Sequence, residues 1–312
     1  MRDRTHERAA EEALEQSEAR LSLTVQAGNL GIWDSDLTNK QTYWSAEQEK
    51  LFGLGPGEFD GGFSKHVHVE DRTRVLRKIA EVKATGEQYQ DEFRVVHPDG
   101  SVRWLAGRGR VLRNKVGEAT RLIGINFDIT ERKQQELNTR FLLELNTTVR
   151  TLKGGDEIER TVMNALGSYL NVTNCNISYV DETSNKLEVR YNCGKTRLEG
   201  TYTISDYVAP EFIRFYKQGE AVAVSDVMKD SRMTGREARA AALELRSILV
   251  VPYLKEKRWV ASLNISCDRP REWRKDEKEL AETVAAQFIP AVERARSEEV
   301  AALLAERFRL TE

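Results

Sequence analysis

The sequence is poor in cysteine, contains no long apolar run and carries almost no net charge. Three cysteines in 312 residues are too few and too dispersed for a disulfide framework. No segment approaches the ~18 consecutive apolar residues of a membrane span, and residues 1–8 lack a hydrophobic signal core. The 48 basic and 50 acidic residues nearly cancel, so no bulk positive field would attract nucleic acid or an anionic membrane. We therefore expect a cytoplasmic protein with no nucleic-acid partner and no membrane span.

Histidine is also scarce, which limits the chemistry that this chain can perform. The last of its 4 histidines is His97, so the second half offers no histidine base for acyl transfer. His66 and His68 would share one face of an extended segment, but two ligands are too few for zinc. Residues 194–196 (GKT) resemble the end of a phosphate-binding loop, yet Val189 stands where that loop requires glycine. We find neither a phosphoacceptor-histidine helix nor a glycine-rich ATP lid, and we predict no metal site, no catalytic residue and no kinase core in this chain.

A strand, a short turn and a long helix connect the two halves of the sequence. Residues 119–127 alternate like a strand, and a polar helix follows from Glu131. Thr130 is the predicted N-cap, because its hydroxyl can accept a hydrogen bond from a first-turn amide. The charges of Asp128 and Glu131 suit the positive end of the helix dipole. Apolar residues at steps of three or four then predict a connector helix over 131–152: Leu137, Phe141, Leu145, Val149 and Leu152.

The first half of the sequence predicts an antiparallel sheet with helices on one face. Two strand-like segments surround turn residues at 38–40, and Asp71 can cap a longer helix that ends near Gly86. Three more strands follow, the first two joined by a tight Pro-Asp-Gly turn at 98–100. This order favours the α+β class.

The second half predicts a further antiparallel sheet between helices. Asp156 and Glu159 fit a capping box at the start of one helix. Strand-like segments follow, of which 247–254 and 259–267 form a hairpin, and a long helix from about residue 275 closes the sequence. We therefore expect two α+β domains with antiparallel sheets, joined and flanked by long amphipathic helices.

The first domain resembles the PAS family with its C-terminal PAC segment. The motifs that carry this resemblance occur in sequence at PAS-like spacings: GIWD at 31–34, LFGL at 51–54, HVEDR at 68–72, FRVVHPDGSVRW at 93–104 and DITER at 128–132. They are similar to the PAS subfamily common in bacterial sensor histidine kinases. One departure is Val69, where many relatives have proline.

The second domain resembles the GAF family, most closely at its end. The matching segments are VVPYL at 250–254, ASLNI at 261–265, PREW at 270–273 and the helix over 276–294. The two resemblances imply an N-terminal helix at 1–23, a PAS/PAC domain at 24–130, the connector at 131–152, a GAF domain at 153–293 and a C-terminal signalling helix at 294–312.

These resemblances imply the sensory input region of a signal-transduction protein in a two-component system, with a histidine kinase as the favoured whole protein. Relatives often carry another PAS domain or a kinase core after such a helix, so we expect a downstream output domain. Two alternatives stay open. One is the input half of a cyclic-di-GMP enzyme, and the other is a stand-alone binding or scaffold protein.

The resemblance also restricts the cofactors. Flavin-adduct PAS domains use a pocket cysteine, and residues 24–130 contain none. Bilin-binding GAF domains often use a Cys-His pair, and none of the three cysteines precedes a histidine. Haem-binding PAS domains usually supply histidine from the longer helix, and 71–86 has none. We therefore expect no evident cofactor, while a pocket near Trp33, Trp44 or Phe93 could hold an unknown small ligand. Plain core is the alternative role of these aromatics.

The helices suggest how a signal would pass. We expect a signalling hinge at Asp128, Thr130 and Arg132, and a second at Pro290, which removes a mid-helix amide and predicts a kink. Narrow apolar stripes predict a parallel homodimer held by the helices, with Phe288→Glu as a substitution that splits it. The alternative is that the last stripe packs only on its own GAF sheet. The stripes are Ala10, Ala13, Leu14, Ser17 and Leu21 at the N-terminus, and Leu280, Val284, Phe288, Ala291 and Ala295 near the end.

Overall fold

The computed structural model describes residues 16, 19–20, 23–25 and 27–309, and the chain divides into two compact units between Gln134 and Gln135. The apolar stripe predicted for the N-terminal helix lies outside the described residues. Among the helices of the described part, none is long and apolar enough to cross a membrane.

The first unit has one antiparallel sheet, as the sequence predicts. Its strand order is β2-β1-β5-β4-β3. Helix α3 packs on β3, β4 and β5, and the core between them contains the fully buried Phe52 and Phe93. The elements are β1 (Gly31–Asp36), β2 (Gln41–Trp44), α1 (Ala46–Leu51), α2 (Phe63–His66), α3 (Val69–Thr85), β3 (Tyr89–Val96), β4 (Val102–Arg113) and β5 (Ala119–Asp128).

Helix α3 is capped by a different residue from the predicted one. It begins at Val69, and Nδ1 of His68 accepts a hydrogen bond from the Glu70 amide at 3.4 Å. The carboxylate of Asp71 instead accepts from the backbone amide and from Nε of Arg94, both at 2.9 Å. Its pKa is lowered, first by the Arg94 side-chain hydrogen bond. Asp71 therefore fastens the helix to β3, a long-range role that no local pattern encodes.

The second unit also has one antiparallel sheet, in the order β8-β7-β6-β11-β10-β9. Its elements are α4 (Thr130–Val149, whose first turn belongs to the first unit), α5 (Gly155–Leu170), β6 (Asn174–Asp181), β7 (Lys186–Gly194), β8 (Gly200–Thr203), α6 (Ile204–Tyr207), α7 (Pro210–Gln218), β9 (Val222–Val224), a 3-10 turn (Ser231–Met233), α8 (Glu237–Ala242), β10 (Ser247–Lys255), β11 (Arg258–Cys267) and α9 (Lys275–Arg309). The α+β class with two antiparallel sheets is confirmed.

The sheet of the second unit separates two cores. On one face, α4, α5 and α9 cover residues such as Ile177 and Leu263. On the other face, the short helices enclose Phe212, Tyr216 and Trp259. Successive strand residues point to opposite faces, so each central strand contributes to both sides.

The apolar stripes of α4 and α9 are part of the first of these cores. Leu145 and Val149 are buried, as are Leu280, Val284 and Phe288. These residues therefore pack inside their own domain, which is the alternative to packing against a second copy of the chain. Phe288→Glu is therefore a wrong choice for splitting a dimer, because a side chain 2% exposed would place a charge in the core. Helix α9 runs continuously through Pro290 and through the expected boundary at 293/294.

The predicted capping box of α5 is replaced by an ion-pair cluster. Gly154 is the N-cap and has no side-chain cap bond. Asp156 accepts from Nε of Arg296 on α9 at 3.0 Å. Glu159, fully buried, accepts from Nη2 of Arg296 and from the Tyr179 hydroxyl at 3.0 Å. Burial raises the pKa of Glu159, against the opposing effect of Arg296. The cluster fastens α9 to α5 and to β6.

A second cluster joins α5 and α9 at their other ends. Nη2 of Arg271 donates to the Leu170 carbonyl at 2.9 Å and to the buried Glu277 carboxylate at 2.7 Å. The other carboxylate oxygen of Glu277 accepts from the Arg274 amide at 3.0 Å, just before α9 begins. One arginine thus satisfies a free carbonyl at the end of α5 and holds the residue that caps α9.

We expect Arg296→Met to lower the free energy of unfolding by about 3–5 kcal/mol, because it leaves the Glu159 carboxylate buried without its cation. Urea unfolding measures the change. Arg294→Ala is the matched control and should shift stability by less than ~0.5 kcal/mol, since Arg294 is exposed. Adding Glu159→Gln to Arg296→Met should recover part of the loss, because a neutral amide costs less to bury than a carboxylate. Equal stability of the Arg294 and Arg296 variants would contradict the anchoring role.

Candidate functional site

Trp33, Trp44 and Phe93, the predicted pocket residues, line a single cavity in the first unit. The cavity has a volume of about 200 Å³. Trp44 stacks on Phe59 with ring centroids 3.6 Å apart, and Phe63 meets Phe93 edge to face at 6.0 Å. The strand positions explain this convergence, because all three predicted residues point from the sheet toward the helices.

Polar groups also reach this cavity. The amide oxygen of Asn126 accepts from Nε1 of Trp33 at 3.2 Å, and the hydroxyls of Ser35 and Thr42 lie 3.0 Å apart. Gln48 also lines the cavity, is 1% exposed, and its Oε1 has no hydrogen-bond partner in the described part of the chain. A cavity with aromatic walls and a few fixed polar groups has the composition of a small-ligand pocket.

The three histidines of the first unit that the structure describes have structural surroundings. His97 Nε2 lies 3.0 Å from the Leu51 carbonyl, and His68 caps α3. Burial lowers the pKa of His66, which contacts Phe52 edge to face. Among the described residues, no group of three or more histidine, cysteine, aspartate or glutamate side chains could hold a metal ion.

The predicted hinge residues Asp128 and Thr130 connect the end of β5 and the start of α4 to the sheet of the first unit. The carboxylate of Asp128 accepts from the Thr130 amide at 2.7 Å. The Thr130 hydroxyl accepts from the Trp104 amide on β4 at 2.9 Å, and the Ile129 amide donates to the Trp104 carbonyl at 2.9 Å. Thr130 therefore bonds a neighbouring strand instead of the first-turn amide expected for an N-cap. Asp128 supplies the oxygen at the helix start.

The first turn of α4 also carries charges that bind the same sheet. Arg132 and Lys133 each contact the carboxylate of Glu92 on β3 at 2.6 Å. These bonds, with that of Lys133 the largest, lower the pKa of Glu92. The ammonium of Lys133 also lies 5.4 Å from the ring centroid of Trp104. The first turn of α4 is thus held to this sheet by hydrogen bonds and by two ion pairs.

A second cavity lies in the second unit, on the sheet face opposite α9. Its volume is about 150 Å³. Most of its lining is apolar or aromatic: Leu187, Val189, Leu198, Tyr202, Tyr207, Val208, Phe212, Tyr216, Met233, Leu243, Leu245, Ile248, Val250 and Trp259.

The floor of this second cavity is polar, although it lies in the middle of the sheet. On β6, Asn176 and Ser178 line it, and on β11, Ser262, Asn264 and Ser266 do so. Ser262 is paired with Ser178 and Asn264 with Asn176 in the antiparallel register. These residues form a polar row across two central strands, and we call it the polar row below.

Hydrogen bonds fix the orientation of the amides in and beside the polar row. A backbone carbonyl can only accept a hydrogen bond, so the atom of Asn192 that lies 2.8 Å from the Thr196 carbonyl is the donor Nδ2. Oδ1 of Asn192 then accepts from Asn176 at 3.1 Å, and Oδ1 of Asn176 accepts from Nδ2 of Asn264 at 3.0 Å. Nδ2 of Asn264 also donates to Oγ of Ser178 at 3.0 Å. Each amide in this chain therefore has one defined direction.

Sequence reasoning missed the polar row. Its signal is present: polar side chains occupy alternate positions over 174–178 in β6 and 262–266 in β11. The intervening Cys175, Ile177, Leu263 and Ile265 are fully buried on the helix side. Alternation of this kind normally indicates a strand with one face in water. Here the polar face is covered by short helices, and the pattern of the strands alone does not show whether water or a helix covers that face.

The thiols are structural in their surroundings. Cys175 and Cys267 are buried, Cys193 is half-buried, and all three are free. Burial raises the pKa of Cys175 and of Cys193, which disfavours the reactive thiolate.

Two family models match the chain. Residues 41–126 match the model described as PAS fold, and residues 155–292 match the model described as GAF domain.

Curated relatives include blue-light-activated histidine kinases. The protein from Brucella anthropi is 34% identical over 125 residues, which cover 39% of this chain and 25% of the relative. That from Brucella ovis is 36% identical over 125 residues, which cover 39% of this chain and 24% of the relative. The matched part thus spans about a quarter of the length of these curated relatives.

Solved structures are also similar. A sensory box histidine kinase/response regulator from Burkholderia thailandensis is 31% identical, covers 43% of this chain and 99% of its own, and has a TM-score of 0.38. The bacteriophytochrome RpBphP3 from R. palustris is 11% identical, covers 91% of this chain and 61% of its own, and has a TM-score of 0.47. The two family matches identify residues 41–126 as a PAS fold and 155–292 as a GAF domain. Together with the curated relatives, they show that this chain is a PAS plus GAF sensory input region for signal transduction.

Proposed function

We propose that this chain is the input region of a histidine kinase and that the GAF cavity binds the small molecule to which the kinase responds. The names of the curated relatives support the kinase assignment of the whole protein. The input half of a cyclic-di-GMP enzyme has less support, because these relatives are histidine kinases. A stand-alone scaffold also has less support, since much of the apolar surface of α4 and α9 packs inside the GAF domain.

The polar row is the observation that carries the sensing proposal. Asn176, Ser178, Ser262 and Ser266 are all 6% exposed or less. A core without a ligand would be more stable with apolar groups at these positions, because each buried polar group must keep its hydrogen bonds. The arrangement suits a cavity whose floor recognises a polar edge of a molecule.

The same strands offer a short path from the cavity to α9. Ser262 and Asn264 face the cavity, whereas Leu263 and Ile265 lie in the core that α9 covers. A ligand that shifts β11 would therefore displace side chains in direct contact with the helix layer. Discrete repacking of such a layer is a common basis of switching.

We also propose that Trp33, Trp44 and Phe93 enclose a second, unidentified ligand in the PAS cavity, and that neither domain holds a coloured cofactor. The Brucella relatives are named as blue-light-activated. In this chain, residues 24–130 contain no cysteine for a flavin adduct. The free thiols suit a reducing compartment, and the cytoplasm is our proposed location.

Asp128, Thr130 and Arg132 are our proposed hinge between the PAS sheet and α4, and Pro290 is the proposed hinge in α9. The first three make bonds to the sheet that would determine the direction of the helix. Pro290 lacks the amide that would otherwise bond to Ala286.

The full-length protein should show autophosphorylation that depends on the GAF cavity. Leu243→Trp fills the cavity from its wall and leaves the polar row intact. We expect it to change autophosphorylation by roughly fivefold or more, the usual lower range of coupling between sites. Leu243→Met conserves volume and is the control. Incorporation of radiolabelled phosphate from ATP measures the effect. Equal rates for the two variants would contradict sensing by this cavity, and no autophosphorylation at all would contradict the kinase assignment.

Thr130→Ala should lower the free energy of unfolding of the PAS domain by about 1 kcal/mol, because the Trp104 amide loses its acceptor. Thr130→Ser keeps the hydroxyl and should stay close to the wild type. Chemical denaturation measures both, and autophosphorylation of the full-length variants reports the hinge. If the alanine and serine variants behave alike in both measurements, the hydroxyl has no role at the hinge.

We expect the protein to be a homodimer, with a second copy covering the end of α9. Val300, Leu303 and Leu304 lie at steps of three and four on one face, and Leu303 is 67% exposed. Leu303→Glu should weaken the dimer at least ~10-fold without unfolding the GAF domain. Ala302→Glu, on the opposite face, is the control. Light scattering at micromolar concentration gives the mass, and a monomer at every concentration would overturn the proposal.

A further inference from the structure

We propose that the ligand of the GAF cavity is an uncharged, single-ring molecule with an N–H donor next to a carbonyl acceptor, that is, a small cyclic amide such as a pyridone or a pyrimidine base. This inference rests on the sensing role proposed above and specifies its chemistry. It follows from the size of the cavity, the charge of its walls and the hydrogen-bonding groups of its floor.

The size of the cavity limits the ligand to one ring. Drug-sized ligands occupy pockets of ~300–1,000 Å³, whereas this cavity has about 150 Å³. A cavity of ~150 Å³ is known to accept one benzene ring. Aromatic side chains such as Tyr202, Phe212 and Trp259 offer flat surfaces for such a ring.

The walls exclude a charged ligand. No lysine, arginine, aspartate, glutamate or histidine is among the residues that line the cavity. Arg232 lies behind the wall, with its guanidinium carbon 5.2 Å from the Phe212 ring centroid. It is already paired with Asp230 and donates to the Ala223 carbonyl at 3.2 Å. An ionised ligand would lose its hydration without gaining a counter-charge, which is costly.

The orientation of Asn264 leaves one acceptor on the floor. Its Nδ2 donates to Oδ1 of Asn176 and to Oγ of Ser178, both at 3.0 Å, and shares these hydrogens with the Ser262 carbonyl at 3.3 Å. Its Oδ1 receives no hydrogen bond from any residue in the described part of the chain. Because Asn264 lines the cavity, this oxygen is the group that an N–H of the ligand would meet.

Serine hydroxyls beside this oxygen are donors. Oγ of Ser178 accepts from Asn264, and Oγ of Ser262 accepts from Nε1 of Trp259 at 2.8 Å. Each hydroxyl hydrogen has no acceptor among the described residues, so both serines can donate a hydrogen bond to a ligand. An acceptor beside donors complements a ligand edge in which N–H adjoins C=O, which is the edge of a cyclic amide.

Isothermal titration of the wild-type chain tests the inference without any mutation. The probes are 2-pyridone, N-methyl-2-pyridone with its donor blocked, toluene without polar groups, and benzoate with a charge. We expect 2-pyridone to bind at least ~10-fold more tightly than the other three, because a site built for a hydrogen bond rejects a ligand that leaves it unmade. Preference for toluene or benzoate, or no binding by any probe, would overturn the inferred ligand class. Sensing itself is decided separately, by autophosphorylation of the Leu243 variants.

A serine variant locates the site. Ser178→Ala removes one floor hydroxyl, while Asn264 keeps its bond to Asn176, so we expect about 10-fold weaker binding of 2-pyridone. Ser225→Ala is the matched control, since that serine bonds Glu272 at 3.0 Å and lies outside the cavity lining. Circular dichroism checks that both variants are folded. Equal affinity of the two variants would place the pyridone elsewhere and overturn the assignment.

Discussion

Two strands at the centre of the GAF sheet must satisfy two environments at once, and the rest of the domain depends on this constraint. On one face of β6 and β11, Ile177, Leu263 and Ile265 pack under the helices, and on the other face the polar row meets the cavity. Because successive residues point to opposite faces, a one-residue shift in the register of either strand would place its polar side chains under the helices and its apolar side chains in the cavity. One pair of strands thus positions two groups of helices: α4, α5 and α9 on one face, and the short helices around the cavity on the other.

In the PAS domain, the main constraint lies at the junction between the last strand, β5, and helix α4. The tripeptide 128–130 does so by bonding the backbone of Trp104 on both sides, with Ile129 donating to its carbonyl and Thr130 accepting from its amide. Two cations on the next turn then pair with Glu92. This junction combines neutral hydrogen bonds with ion pairs. Salt should weaken the ion pairs to Glu92 and leave the hydrogen bonds to Trp104 largely unchanged.

The sequence was sufficient for the two sheets, for the long helices and for the aromatic wall of the PAS cavity, because periodicity and turn residues are local signals. It failed at three of the helix starts. Asp71, Thr130 and Asp156 all have an oxygen near a helix start, yet each bonds a residue far away: Arg94, Trp104 and Arg296 respectively. Long-range partners of this kind leave no local pattern. The polar row escaped for a related reason, since the helices that cover it are too short to show a period.

The two clusters fasten α5 and α9 to each other at two places. Arg271 and Glu277 fasten one pair of ends, and Arg296 with Asp156 and Glu159 fastens the other. Beyond Arg296, α9 continues to Arg309, a further length of roughly 20 Å at ~1.5 Å per residue. A small tilt of these two helices on the sheet would therefore displace the end of α9 further than it displaces Arg296. The ratio of these two displacements would depend on the position along α9 at which Arg296 holds the helix.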